Sequence, residues 1–133
     1  MNMTKKRVAE LEGAQLDWAV AKAEGRCLHQ NTEYYAHQSD TGFTCLDCGK
    51  DTYHEACGRD WKPSSSWAQG GPIIERERIG VRWTYSSAYN SGAWVSMVPR
   101  GDHATSQLGP TPLIAAMRAF VASKLGDEVE VPE

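Results

Sequence analysis

The sequence predicts an α+β fold, with a small antiparallel sheet packed against two amphipathic helices. Three observations predict it: apolar residues at helical spacing near each end of the chain, an alternating stretch between them, and an element order of helix, insert, hairpin and helix. The chain has 133 residues, 41% of them hydrophobic and 23% charged, which is ordinary for one globular domain. We therefore expect residues 1–133 to form a single domain that carries an insert.

Two helices are predicted, one near each end of the chain. The first covers residues 13–24 and ends at Gly25, because glycine adopts the left-handed conformation of a C-cap without penalty. The last covers residues 112–125, with Thr111 as its cap and Gly126 as its stop. Their apolar residues recur at the spacing of one helix face: Leu16, Ala19, Val20 and Ala23 in the first, and Leu113, Ile114, Met117, Phe120, Val121 and Leu125 in the last.

Between the helices the sequence predicts a loop and then a hairpin. Residues 60–71 contain proline, three serines and two glycines, which favour a loop, and residues 72–77 follow as a short helix or a strand. Alternation over residues 79–85 and 93–98 predicts two antiparallel strands, with 99–109 as a polar loop. We expect two tryptophans to face each other across this hairpin as core residues: Trp83 and Trp94.

Residues 26–59 differ from the rest of the chain, since they contain all four cysteines and three of the four histidines. We interpret them as a zinc-ribbon-like insert, in which residues 33–36 and 43–44 pair as short strands. The preferred ligands form a closed Cys₃His set for one structural Zn²⁺ per chain: Cys27, His29, Cys45 and Cys48. An alternative set keeps the last two of these cysteines and replaces the others by His54 and Cys57. Disulfides are not expected without a secretory signal.

The charge distribution narrows the class of partner. The formal net charge is −3 and no basic stripe is present, so nucleic acid is not expected to bind. No apolar run is long enough to span a membrane and no signal peptide precedes the chain, which predicts a cytoplasmic protein. The acidic residues 126–133 are expected to form a solvated, frayed tail.

Aromatic rings and arginines in the middle of the chain suggest a site for a small anionic ligand of nucleotide type. Rings stack on a flat base, while guanidinium and loop N–H groups bind phosphates. The candidate residues are Trp61, Ser64, Ser65, Trp67, Gly70, Gly71, Arg76 and Arg78. The loop tryptophans Trp61 and Trp67 could instead anchor a protein interface or lie in the core. No catalytic motif is recognisable, so an enzyme is not predicted.

Three sequence blocks resemble the NinX-like family of small phage and prophage proteins. They are ELEGAQLDWAVAKAEG at residues 10–25, WKPSSSWAQGGPIIERERI at 61–79, and GPTPLIAAMRAFVASKLGDEV at 109–129. The resemblance covers about half of the chain, and the Cys/His-rich stretch is outside it. It implies a phage accessory protein of the host bacterial cytoplasm, acting in host takeover or counter-defence.

These observations lead to one functional hypothesis and two alternatives. The first is a non-enzymatic protein that sequesters a nucleotide-type ligand. The alternatives are a zinc-stabilised module that binds and inhibits a host protein, and a small nucleotide-degrading enzyme. A sheet and two helices make a thin core for a monomer, so a homo-oligomer is also expected.

Overall fold

The computed structural model describes residues 2–27, 32–37, 40–46, 51–52, 61–87 and 90–133. Its described elements are β1 (Met3–Arg7), a short 3-10 helix (Val8–Glu10), α1 (Gly13–Glu24), β2 (Thr32–His37), β3 (Asp40–Cys45), β4 (Asp51–Thr52), α2 (Trp67–Glu77), β5 (Gly80–Ser86), β6 (Ser91–Arg100), β7 (His103–Gly109), α3 (Pro112–Leu125) and β8 (Glu128–Pro132). All strand pairs are antiparallel, so the predicted α+β fold with small antiparallel sheets is confirmed.

The described elements form two compact units. The main unit contains Met1–Glu24 and Lys62–Glu133, and the insert unit contains Gly25–Trp61. None of the helices described above is long and apolar enough to cross a membrane. The predicted zinc-binding role of residues 26–59 remains a prediction.

Helix α3 is the centre of the main unit. The helix contacts the sheet β5–β6–β7 and also α1 and α2. Nine of its residues are therefore buried: Leu113, Ala115, Ala116, Met117, Arg118, Ala119, Phe120, Val121 and Ala122. The side chain of Thr111 accepts a hydrogen bond from the N–H of Ile114 at 3.1 Å, and Gly126 ends the helix with φ of +91°. Both predicted boundaries of this helix are confirmed.

Helix α1 also begins and ends where the sequence predicted. Its buried residues include Leu16, Ala19 and Val20, and Gly25 follows with φ of +70°. Helix α2, in contrast, begins at Trp67, so the predicted loop over residues 60–71 is wrong in its second half. The reason is tertiary: two residues of α2 are buried, Gly70 and Ile73, and this packing outweighs the poor helix propensity of the glycine pair.

The three-stranded sheet of the main unit has the strand order β5–β6–β7. The predicted hairpin of the first two strands is confirmed, but the predicted loop over residues 99–109 is wrong, because His103–Gly109 forms β7. Polar and small residues occupy most of β7, so its sequence lacks a strand-like alternation of apolar residues. Pairing with β6 and contact with α3 stabilise it instead.

Trp83 and Trp94 lie opposite each other in the hairpin, as predicted. Their rings meet edge to face, with centroids 5.3 Å apart. The expectation that both belong to the core is wrong, since Trp83 is 59% exposed. Trp83 belongs to the outer strand β5 and Trp94 to the central strand β6, and the two indoles contact each other without both being buried.

The C-terminal residues form a strand instead of a frayed tail. Strand β8 pairs with β1 at the other end of the chain. Its acidic residues alternate with two buried valines, Val129 and Val131, so apolar burial holds the strand while its carboxylates face solvent. One of them, Glu128, lies 3.2 Å from the ammonium group of Lys5. The expected frayed tail over residues 126–133 is therefore wrong.

The insert unit contains the three-stranded sheet β2–β3–β4. Glu33 is opposite Thr44 and Tyr34 is opposite Phe43 in this sheet, so the two short strands predicted at 33–36 and 43–44 do pair.

Candidate functional site

A tight turn leads into α2 and is buried at its centre. Pro63 and Ser64 are buried, whereas Ser65 is exposed. The N–H groups of Ser65 and Ser66 donate hydrogen bonds to the carbonyl of Lys62 at 3.1 and 2.9 Å. These bonds fix the backbone of the turn just before the helix begins.

The side chain of Asp17 in α1 accepts hydrogen bonds from this turn. The N–H of Ser64 donates to Oδ1 of Asp17 at 2.8 Å, and the Ser64 hydroxyl also hydrogen-bonds this carboxylate. Asp17 is only 7% exposed, and burial raises its pKa because a charged carboxylate loses its hydration. Both bonds from Ser64 favour the charged form and oppose the shift of the pKa.

Sequence reasoning did not identify Asp17, although a signal was present. It is one residue from Leu16 and four residues before Ala21, both of which are buried on the inner face of α1. A carboxylate within a buried helix face requires a hydrogen-bonding partner, which here is Ser64.

Gly70 brings the first turns of two helices together. A Cβ atom at this position would lie 2.4 Å from the carbonyl oxygen of Pro63 and 2.7 Å from Cδ2 of Leu113. Gly70 is the fourth residue of α2 and Leu113 the second of α3, so the two helices begin side by side. This glycine is required for close packing, which is a different role from the predicted phosphate contact.

The first turn of α2 is exposed on its outer side. Trp67, its first residue, is 57% exposed and follows the exposed Ser65 by two positions. Ser66 precedes the helix and makes no side-chain capping bond, whereas Thr111 caps α3. As at any helix start, the first backbone N–H groups lack intrahelical acceptors and carry partial positive charge.

The predicted arginines lie at the other end of α2. Nine residues at 1.5 Å per residue separate Arg76 from Trp67, a distance of roughly 14 Å along the helix. The guanidinium of Arg76 lies 2.7 Å from a carboxylate oxygen of Glu24. Arg78 ends the helix in the left-handed conformation, with φ of 55°.

The structure therefore groups four of the eight predicted ligand-binding residues. Around the start of α2 lie Ser64, Ser65, Trp67 and Gly70. Gly71 lies within α2, where a Cβ atom would meet no atom within 4 Å apart from its chain neighbours. Trp61 belongs to the insert unit, where the guanidinium carbon of Arg26 lies 4.0 Å from the centroid of its ring.

Two of the four preferred zinc ligands lie within the described residues. Cys27 is half-buried, and Cys45 is the last residue of β3, opposite Thr32. His29 and Cys48 lie outside the described residues, as does the alternative pair His54 and Cys57. Among the residues whose placement is described, no group of three or more potential metal ligands occurs. The zinc site remains a prediction.

The described residues thus define a small α+β protein that presents an exposed indole on a rigid turn. Comparison with protein-family models gives a match over residues 7–124 to the family described as "Bacteriophage P22, NinX". The chain belongs to this phage protein family, which confirms the family resemblance found in the sequence. No curated protein matches the chain.

Proposed function

We propose that this phage accessory protein binds and sequesters a small anionic ligand of nucleotide type at the start of α2. In this proposal it works without catalysis in the host cytoplasm, in counter-defence or host takeover. Family membership supports a phage accessory protein. The ligand is inferred from the chemistry of the exposed groups.

The observation that carries the proposal is the exposure of Trp67 on a rigid support. Its side chain is 57% exposed, although the turn before it is fixed by Asp17 and the helix after it is locked against Pro63 and Leu113. A rigid flat ring suits stacking on a nucleobase, because little conformational entropy is lost on binding. The preorganised indole therefore supports a planar ligand.

The anionic part of the ligand would bind beside this ring. The N-terminus of α2 has partial positive charge, and the side chain of Ser66 leaves it uncapped. The hydroxyl of Ser65 is exposed close by and can donate to a phosphate. Arg76 and Arg78 have no part in this arrangement, because they lie at the opposite end of the helix.

A thermal-shift panel of cyclic dinucleotides, ADP-ribose derivatives and common nucleotides tests the proposal. We expect at least one compound to raise the melting temperature, and Trp67→Ala to abolish that shift. Trp83→Ala is a matched control, since this tryptophan is also exposed but lies on β5. A folded protein that no compound stabilises contradicts the proposal, as does equal loss of the shift in both variants.

Chromatography of the bound compound separates sequestration from catalysis. Recovery of the unchanged compound after prolonged incubation is expected for a binding protein. Appearance of a product would instead support the nucleotide-degrading enzyme.

A second candidate function is supported by the same exposed indole. Tryptophan is enriched among the residues that dominate protein–protein binding energies, so Trp67 could anchor a host protein that is thereby inhibited. Affinity capture from host lysate, repeated with Trp67→Ala, tests this candidate. A host protein retained by the wild type and lost with the variant, together with no response in the nucleotide panel, would favour it over ligand capture.

For the insert we propose one structural Zn²⁺ held by Cys27, His29, Cys45 and Cys48. Support comes from the spacing of these residues and from Cys45, the first residue of the Cys-x-x-Cys segment, being the last residue of β3. Elemental analysis is expected to find about one zinc per chain. Cys48→Ser should lose the metal, whereas His37→Ala, also in the insert, should retain it.

The ligand assignment has its own test. Loss of zinc in His29→Ala with retention in His54→Ala supports the preferred set. The reverse result supports the alternative set with His54 and Cys57. Metal-free wild-type protein with an unchanged fold would contradict both.

A further inference from the structure

Strand β5 forms an outer edge of the sheet β5–β6–β7, and no described strand pairs with its free side. Exposed strand edges are templates for pairing with another chain. The other edge of the sheet is partly covered, because the carbonyl of Leu108 in β7 accepts a hydrogen bond from Arg118 at 2.9 Å. The two edges therefore differ in their freedom to pair.

Strand β5 also carries two of the most exposed aromatic side chains among the described residues. Tyr85 is 74% exposed and Trp83 is 59% exposed. They point to the same face because they are two residues apart on a strand, and Val81 shares this face. Exposed aromatic residues next to a free edge are a costly arrangement unless a partner covers them.

The order of residues along β5 makes the strand complementary to itself. In an antiparallel pair with a two-fold axis at Trp83, this residue faces the partner's Trp83, and Tyr85 faces the partner's Val81. Arg82, the only charged residue of the strand, is opposite the partner's Thr84, so the two arginines are diagonal to each other and not directly opposite. A two-fold interface requires such self-complementarity.

We infer that two copies of the chain associate through β5, forming an antiparallel strand pair centred on Trp83. The occupant of the free edge is thus a second copy of this chain. The pair extends the contact between Trp83 and Trp94 into a row of four indoles across the axis. It joins two three-stranded sheets into one of six strands, and it does not involve Trp67.

The expected association is weak and reversible. Each aromatic residue buries about 150–250 Å² when fully covered, and the four involved here are already partly covered. The interface is therefore near or below the lower limit of about 1,200 Å² for stable complexes. We expect a dissociation constant on the order of 10 µM, as for transient pairs of this size.

Sedimentation velocity of the full chain over a wide concentration range tests this inference. The wild type should change reversibly from monomer to dimer. Trp83→Lys places two ammonium groups at the axis and should remain monomeric, while Tyr85→Lys should weaken association by at least about 10-fold. Tyr85→Lys leaves the Trp83–Trp94 contact in place, so it keeps the test valid if Trp83→Lys fails to fold.

Met97→Lys is the matched control. Met97 is 45% exposed and belongs to the central strand β6, on the face opposite to Trp94. This variant should dimerise like the wild type. A wild type that stays monomeric at the highest concentration overturns the inference. Equal dissociation of the Met97 variant also overturns it, because the contact would then involve the other face of the sheet.

Hydrogen exchange reports the pairing itself. Amide protection in β5 should increase with protein concentration in the wild type and stay constant in Tyr85→Lys. A dimer whose β5 amides gain no protection would contradict strand pairing.

Discussion

The two ends of α2 use polar residues in opposite ways. At the start, the buried carboxylate of Asp17 fixes a turn from below and leaves Trp67 and Ser65 on the surface. At the end, the exposed guanidinium of Arg76 pairs with Glu24. A buried polar contact defines the shape of the surface above it, whereas a partly exposed ion pair neutralises charges. For this reason the proposed ligand site belongs to the start of the helix.

Among the variants that test this comparison, Gly70→Ala is expected to change the free energy of unfolding most. The added Cβ would meet the backbone oxygen of Pro63 at 2.4 Å, and backbone atoms cannot move aside cheaply. We expect a loss of about 3 kcal/mol in the free energy of unfolding, at the upper end of overpacking costs. Urea denaturation measures this loss.

The neighbouring glycine supplies the control for this substitution. Apart from its chain neighbours, a Cβ at Gly71 meets no atom within 4 Å, and alanine is the better helix former, but Pro72 disfavours the helical conformation of any residue with a Cβ before it. Gly71→Ala should therefore change stability by less than about 1 kcal/mol, because the gain in helix propensity and the cost before proline oppose each other. Similar losses in both variants would mean that the start of α2 is not packed as described.

The next effect in size is expected from Asp17→Ala. The variant leaves the buried N–H of Ser64 without its acceptor, which costs about 2 kcal/mol. It should also weaken any ligand found with the nucleotide panel, because the turn that presents Trp67 loses its support. Glu12→Ala removes an exposed carboxylate close by in sequence and should change neither property. Loss of stability without loss of ligand affinity would separate Asp17 from the proposed site.

Asp17 also predicts a pH dependence of stability. Burial raises the pKa of its carboxyl above the ordinary value of 3.8, so the folded protein binds this proton more tightly than the unfolded chain. The contribution is fully present below the unfolded pKa and is lost as pH rises through the folded pKa. Asp17→Asn lacks this titration, so the variant should gain stability relative to the wild type as pH rises from the acid range to neutrality.

Urea denaturation of the wild type and of Asp17→Asn at several pH values measures the difference between their free energies of unfolding. The titration of the other carboxylates cancels in this difference, because both proteins contain them. A constant difference across this range would contradict a raised pKa for Asp17. A difference of the opposite sign would mean that the bonds from Ser64 outweigh the cost of burial.

The helices and the β5–β6 hairpin could be predicted from sequence because their signals are local. Helical spacing with a cap identified α1 and α3, and alternation identified the hairpin. β7 and β8 could not be predicted in this way, since pairing with β6 and β1 stabilises them and such partners are distant in sequence. The start of α2 was missed because the close approach of Gly70 to Leu113 outweighs a loop-like composition.

The candidate site was predictable in its exposed part only. Serines and a tryptophan in one loop predicted a binding surface, and the structure shows that Ser65 and Trp67 are both exposed near the start of α2. The contact between Asp17 and the turn could not be predicted, because the sequence does not show which element packs against the loop. Arg76 and Arg78 are close to the loop in sequence. Because a helix rises by 1.5 Å per residue, they lie at the far end of α2.

The smallest change in stability is expected from Arg76→Gln. This variant also tests the contrast between the two ends of α2 most directly. The side chain of Arg76 is 53% exposed but that of Glu24 only 10%, so solvent screens their ion pair in part, and its removal should cost about 1 kcal/mol. High salt should reduce this difference further. The variant should bind the stabilising nucleotide of the panel as the wild type does, because residue 76 is roughly 14 Å along α2 from Trp67. A ten-fold loss of affinity in Arg76→Gln with unchanged stability would move the site to the C-terminal end of the helix, and the contrast between the two ends of α2 would then be reversed.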